Sequence, residues 1–217
     1  MLVKIGILIY GYFAGALIQA GYWMGKVNKI DIRDYGSGNA GTTNVMRTLG
    51  KKAGIATYLL DAFKAVIADI LIHFLIVPHT AIPEMLLFLY CGLGIVLGHN
   101  FPFYLGFRGG KGIAASAGVL LAMDWRVFLI CAVIFIGLVA ITRYVSLGSM
   151  AAYVGALICF IGFGAAGSYG MDFPHTFEMD VIMGLMTALA IYRHRANIYR
   201  LLNGTENKLG AAKTAAK

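Results

Sequence analysis

Three short stretches of this 217-residue chain gather side chains suited to phosphate chemistry. In "RGGKG", residues 108–112, Arg108 and Lys111 are set among Gly109, Gly110 and Gly112. Glycines leave consecutive backbone N–H groups open to an anion, and a following helix turns its positive end to the same place. Gly112 follows Lys111, so the run is not the GxxxxGK[ST] nucleotide loop. A basic turn that orients the chain at a membrane edge is the competing reading.

The second stretch, "GSGNAGTTNVMR" at 36–47, holds Ser37, Asn39, Thr42, Thr43 and Asn44 and closes on Arg47. Hydroxyls and amides donate to phosphate, and guanidinium grips it with two parallel bonds. Helix capping needs one such residue, not five. In the third, "RHRANIYRLLNGTE" at 193–206, His194 and Asn197 are three apart and so expected on one helix face, among Arg193, Arg195 and Arg200. His194 suits a general base or a phosphate donor, or an interfacial residue beside an arginine cluster. Glu206 is expected to orient a basic partner. There is no GxSxG elbow, no HExxH and no acid pair at catalytic spacing, which argues against ordinary hydrolases and metalloenzymes. Cys91, Cys131 and Cys159 lie in apolar runs, without the spacing of a disulfide framework or a metal site.

The elements that must position these stretches are apolar. The chain is 59% hydrophobic and 13% charged, where soluble domains carry about 25% charged residues. Mean hydropathy is +0.77. Seven apolar segments, at 3–24, 53–77, 83–100, 112–123, 126–142, 147–166 and 178–192, predict an all-α polytopic membrane protein with about seven transmembrane helices. The segment at 112–123 is short for a span. A single domain over 1–217 is expected, with 208–217 a flexible tail.

Loops alternate across a membrane, and fifteen of the eighteen basic residues fall on one side. That bias puts these loops in the cytoplasm, the N-terminus outside and the C-terminus cytoplasmic. It also accounts for the net charge of +8 without nucleic acid. All three polar stretches are then cytoplasmic. Asp61 and Lys64, three apart inside the second span, suggest a buried ion pair supporting the site, with Asp69 two turns on; substrate binding or transport is the other reading. His99 and Asn100 end the third span before Pro102, where His99 either orients the glycine loop or is a structural histidine.

At these residues the sequence resembles a known family. "GSGNAGTTNVMRTLGKKAG", "GHNFPFYLGFRGGKGIA", "RYVSLGS" and "HRANIYRLLNGTENK" are similar to the motifs of bacterial acyl-phosphate:glycerol-3-phosphate acyltransferases, the PlsY family, in the same order along nearly the whole chain. Ala115 departs from the pattern, where family members often carry a hydroxyl residue. The resemblance implies transfer of a fatty acyl group from acyl-phosphate to the 1-hydroxyl of sn-glycerol 3-phosphate, giving lysophosphatidic acid and phosphate for phospholipid synthesis. It implies no metal and no other cofactor. Expected partners are the two substrates, membrane lipids and the enzyme that makes acyl-phosphate. The place is the bacterial inner membrane, with the site on its cytoplasmic side.

On this reading Ser37, Arg47, Lys111, His194 and Asn197 are the candidate catalytic residues. Asn39, Thr43, Asn44, Arg108, Gly109, Gly110, Gly112 and Ser146 are the candidate phosphate and substrate contacts. The remaining function classes are a transporter of an anionic metabolite, for which no internal repeat is visible, and a scaffold whose basic loops bind anionic lipid.

Overall fold

The computed structural model describes residues 1–210. The apolar runs are helices, and the polar stretches at 36–47 and 193–206 add short ones: α1 Leu2–Leu17, α2 Ala20–Val27, α3 Thr42–Leu49, α4 Lys51–Leu75, α5 Glu84–Asn100, α6 Ile113–Met123, α7 Trp125–Thr142, α8 Val145–Ala165, α9 Phe173–Arg193 and α10 Arg195–Leu202. No strand occurs among the described residues. Four stretches, Leu2–Val27, Glu84–Leu105, Trp125–Thr142 and Val145–Ala165, are long and apolar enough to cross a membrane. The long α4 carries Asp61, Lys64 and Asp69 inside it, which lowers its hydropathy. With 11 residues, α6 is about 16 Å long at 1.5 Å per residue, about half of a hydrocarbon core.

The centre of the bundle is α5, whose Leu86, Leu87, Leu89, Ile95 and Val96 are fully buried. It lies against α1 through small residues on both helices. A Cβ on Gly11 or Gly15 would strike the backbone of Cys91 or Ile95, and one on Gly94 or Gly98 the backbone around Leu8 and Tyr12. Close backbone approach of this kind is how helices pack where lipid removes the hydrophobic drive. Outward-facing Phe63, Ile67 and Phe74 on α4 and Val133, Ile136 and Ile141 on α7 stay exposed. In water so wide an apolar surface would aggregate; in a bilayer it matches its solvent.

Two expectations change. The first span is not one helix: Ile18 (φ −94°, ψ 80°) and Gln19 (φ −99°, ψ 78°) interrupt it. No proline or glycine occupies the break. The freed carbonyls are instead taken by side chains, Gly15 O by Gln19 Nε2 at 3.0 Å and Ile18 O by Lys64 Nζ at 2.6 Å. The tail expected from 208 onward is anchored at its start, because Leu209 N donates to Arg143 O at 2.7 Å. Its remainder, 211–217, lies outside the described residues.

Candidate active site

The glycine loop sits between α5 and α6 and is fixed by its own backbone. Gly109 N donates to Asn100 O at 3.2 Å and Gly110 N to His99 O at 3.1 Å. The carbonyls of Gly109 and Gly110 accept from Arg193 Nη2 at 3.2 and 2.8 Å. The expected cradle of consecutive free N–H groups therefore does not form at Gly109 and Gly110, whose donors are already spent on α5. Gly112, at φ 81°, turns the chain into α6, which starts without a side-chain cap. The loop thus delivers the Lys111 ammonium and an uncapped helix N-terminus to one place. Arg108 stays exposed, its carbonyl accepting from Arg33.

Lys111 Nζ donates to Asn197 Oδ1. The amide nitrogen of Asn197 donates to Glu206 Oε1 at 2.7 Å, Ser146 Oγ donates to the same oxygen at 3.0 Å, and Arg200 Nε to Oε2 at 2.8 Å. Arg47, projecting from α3, reaches Asn207 O at 3.3 Å. Lys111, Ser146, Asn197, Arg200, Glu206 and Arg47 therefore form one cluster drawn from α3, the glycine loop, α8, α10 and the tail. His194 joins it from the junction of two helices: it ends α9, caps α10 on the same buried side as Asn197, and its Nδ1 donates to Ala190 O at 2.8 Å. That bond puts the ring proton on Nδ1 and leaves Nε2 as an acceptor.

The electrostatics follow from crowding cations out of water. Burial lowers the Lys111 pKa to about 8, Glu206 opposing the shift and Arg200, Arg193 and Arg47 adding to it. Burial and the neighbouring Lys111 lower His194 to about 4, so its imidazole is neutral at pH 7. Arg47 is also lowered by burial, with Glu206 opposing. Burial works to raise the Glu206 pKa, but the bonds from Asn197, Arg200 and Ser146 outweigh it and hold the carboxylate charged.

The polar stretch that leads into α3 and forms its first turn divides into binding candidates and braces. Asn44 has no free polar atom: its Oδ1 accepts from Ser37 N at 2.8 Å and its Nδ2 donates to Ile32 O and Tyr35 O at 3.0 and 2.9 Å. It is 1% exposed, so its geometry is that of a loop brace and not of a substrate contact. Asn39 Oδ1 accepts from Gly41 N at 3.0 Å at the start of α3. Ser37 is exposed and Thr43 partly so. Arg33 ties this loop to the next, donating to Leu105 O at 3.0 Å. Asn44→Ala is expected to cost about 2–4 kcal/mol, since it strands three loop groups. The loop around 33–41 should then be cut faster by protease, with a lower unfolding temperature.

Glu206, expected to orient one basic partner, binds Arg200 and also aligns Asn197 and Ser146. Arg200 itself was legible only as one of several arginines. The expected Asp61–Lys64 pair is present, buried, at 2.8 Å. Asp69 stands apart from it, both carboxylate oxygens without a hydrogen-bond partner among the described residues.

An all-helical bundle with an apolar belt, and one end crowded with anion-binding donors, defines an integral membrane protein built to hold phosphorylated ligands. The chain belongs to the glycerol-3-phosphate acyltransferase family, whose profile matches residues 5–204. It is 42% identical to the glycerol-3-phosphate acyltransferase of Clostridioides difficile (strain 630) over 95% of this chain and 96% of that one. It is 38% identical to the enzyme of the same name from Brucella anthropi, over 97% and 95% of the two chains. Among solved structures it is similar to PlsY, an integral membrane glycerol 3-phosphate acyltransferase, in its glycerol 3-phosphate form (TM-score 0.80, 36% identity, 95% of this chain and 96% of that one). The lysophosphatidic acid form matches at TM-score 0.78 and 35% identity, over 95% of both chains. Family membership makes the chain an acyltransferase of phospholipid synthesis and not an anion carrier.

Proposed function

We propose that the chain transfers a fatty acyl group from acyl-phosphate to the 1-hydroxyl of sn-glycerol 3-phosphate. The hydroxyl oxygen attacks the acyl carbonyl carbon, the bond from that carbon to the phosphate oxygen breaks, and phosphate leaves carrying the hydroxyl proton. Products are lysophosphatidic acid and inorganic phosphate. What supports the reading is the convergence of Lys111, Arg47, Ser146, Arg200 and Asn197 from distant parts of the chain around one carboxylate, Glu206. A site so rich in donors suits two phosphorylated substrates.

In this mechanism Lys111 and the α6 N-terminus hold the donor's phosphate. Arg47, with Ser37, Asn39 and Thr43, holds glycerol phosphate and faces the negative charge developing on the carbonyl oxygen. Ser146 and Asn197 line the wall, and Asn197 steers Lys111. His194 is too weak a base, with a pKa of about 4, to compete with a substrate phosphate of pKa about 6. Its Nε2 therefore orients the hydroxyl while the proton goes to the departing phosphate. His194→Gln, which keeps a hydrogen-bond acceptor, should retain kcat within about tenfold, short of the roughly 10²–10⁴-fold that a general base supplies. A loss beyond about a thousandfold would make histidine the base.

We assign seven membrane crossings, an outside N-terminus and a cytoplasmic site in a bacterial inner membrane, because the basic loops lie on the side that carries all three polar stretches. Residues 1–217 are taken as one domain. The direct experiment supplies the purified chain and glycerol 3-phosphate with acyl-phosphate, acyl-CoA or acyl carrier protein. Lysophosphatidic acid should form from acyl-phosphate, and formation from a thioester alone would overturn the donor assignment.

A further inference from the structure

A buried charge in the middle of the bundle is tied to both halves of the site. Lys64 Nζ donates to Asp61 Oδ1 at 2.8 Å and to Ile18 O at 2.6 Å, and it lies 2.9 Å from His99 Nδ1. Ile18 is the break between α1 and α2, the helix that leads into the Ser37 loop. The C-terminal carbonyls of α1 carry the negative end of its dipole, which favours an ammonium there. His99 is the other arm. Its carbonyl accepts from Gly110 N and from Gln19 Nε2 at 3.2 Å, and its ring fills the space that a Cβ on Gly110 would need. Gly110 directly precedes Lys111.

A buried pair whose only task was stability would be a poor solution, because apolar residues of similar volume often serve as well or better. Here the ammonium is held by Asp61 on α4, by His99 on α5 and by the carbonyls at the end of α1, Ile18 O and, at 3.4 Å, Gly15 O, and the last two attachments lead toward catalytic machinery. Donation from Lys64 to His99 Nδ1 leaves the ring proton on Nε2 and fixes the imidazole against the loop. We infer that Lys64, held by Asp61, is a positioning residue that locks the Lys111 loop, through His99, in register with the Ser37 loop, through the α1–α2 break. This inference rests on the proposed role of Lys111.

The test uses the full-length chain in detergent with two variants, Lys64→Met and His99→Asn. The asparagine reaches as far as Nδ1, so it keeps a partner for the ammonium while removing the ring from Gly110. Both are assayed well below their unfolding temperatures for kcat, for KM of glycerol 3-phosphate and for the alkaline limb of kcat/KM. That limb reports Lys111, which is faced by Asn197 and Arg200 of α10, by Arg193 and His194 at the α9 junction, by Arg47 of α3 and by Glu206 of the tail. A misplaced loop should lower kcat by roughly 10–100-fold, as an ångström of misplacement does, with KM little changed. The limb should also move upward from about 8 as Lys111 gains water.

If Lys64→Met does not fold, His99→Asn decides. Folded variants that keep kcat within about twofold, or that lose kcat without moving the limb, overturn the inference and reduce the network to a cap on a broken helix. Wild-type protein inactive toward acyl-phosphate would instead refute the reading beneath it.

Discussion

Lys111→Met is expected to lower acyl transfer by about 10²–10³-fold, the loss seen when one preorganised donor to a developing charge is removed. Methionine is close to lysine in length and suits a site that is already largely buried, so the chain should insert and melt as before. The effect should fall on kcat with the donor saturating, because the ammonium holds the leaving phosphate as its charge grows. The same group sets a pH dependence whose sign is fixed. Burial brings Lys111 to about 8, so the ammonium is present below that pH and disappears above it. For the free enzyme kcat/KM should therefore fall as pH rises through about 8, well below an ordinary lysine. A limb absent up to pH 10 would contradict the assignment.

Arg47→Ala is expected to have an effect of similar size, about 10²-fold or more in kcat/KM for glycerol 3-phosphate, for a different reason. Arg47 projects from α3 and reaches the tail at Asn207 O. Its planar fork matches a phosphate in two parallel bonds, and lysine cannot reproduce that. Arg47→Lys should thus recover only a small part of the activity. Near-normal turnover in Arg47→Ala, measured as lysophosphatidic acid formed, would remove the residue from the site.

The helices and the site were legible to different depths in the sequence. Long apolar runs announced α5, α7 and α8 because a bilayer demands about 20 apolar residues and little else. The break at Ile18–Gln19 was not legible, since "LIQAG" holds no helix-stopping residue before Gly21; the side chains that take its freed carbonyls, Gln19 and Lys64, meet them only in the fold. Lys111, Asn197, Ser146, His194 and Arg47 stood out as polar residues in a greasy chain, and they do gather in one cluster. Asn44 stood out in the same way yet braces its loop. Composition cannot tell a donor aimed at a ligand from one aimed at a carbonyl. Gly109 and Gly110 misled for a related reason, because glycine permits a free N–H without reserving it. Glu206 is a lone acid among arginines and reads in sequence as a charge partner; its bonds to Asn197 and Ser146 are visible only in the fold.

The most direct measurement of the whole account is phosphorus accounting on the purified, reconstituted chain. With acyl-phosphate and glycerol 3-phosphate present, the loss of acyl-phosphate should be matched one for one by lysophosphatidic acid and by inorganic phosphate. Lys111→Met should suppress all three changes together. Release of phosphate without lysophosphatidic acid, or vesicle uptake of glycerol 3-phosphate without its acylation, would contradict it.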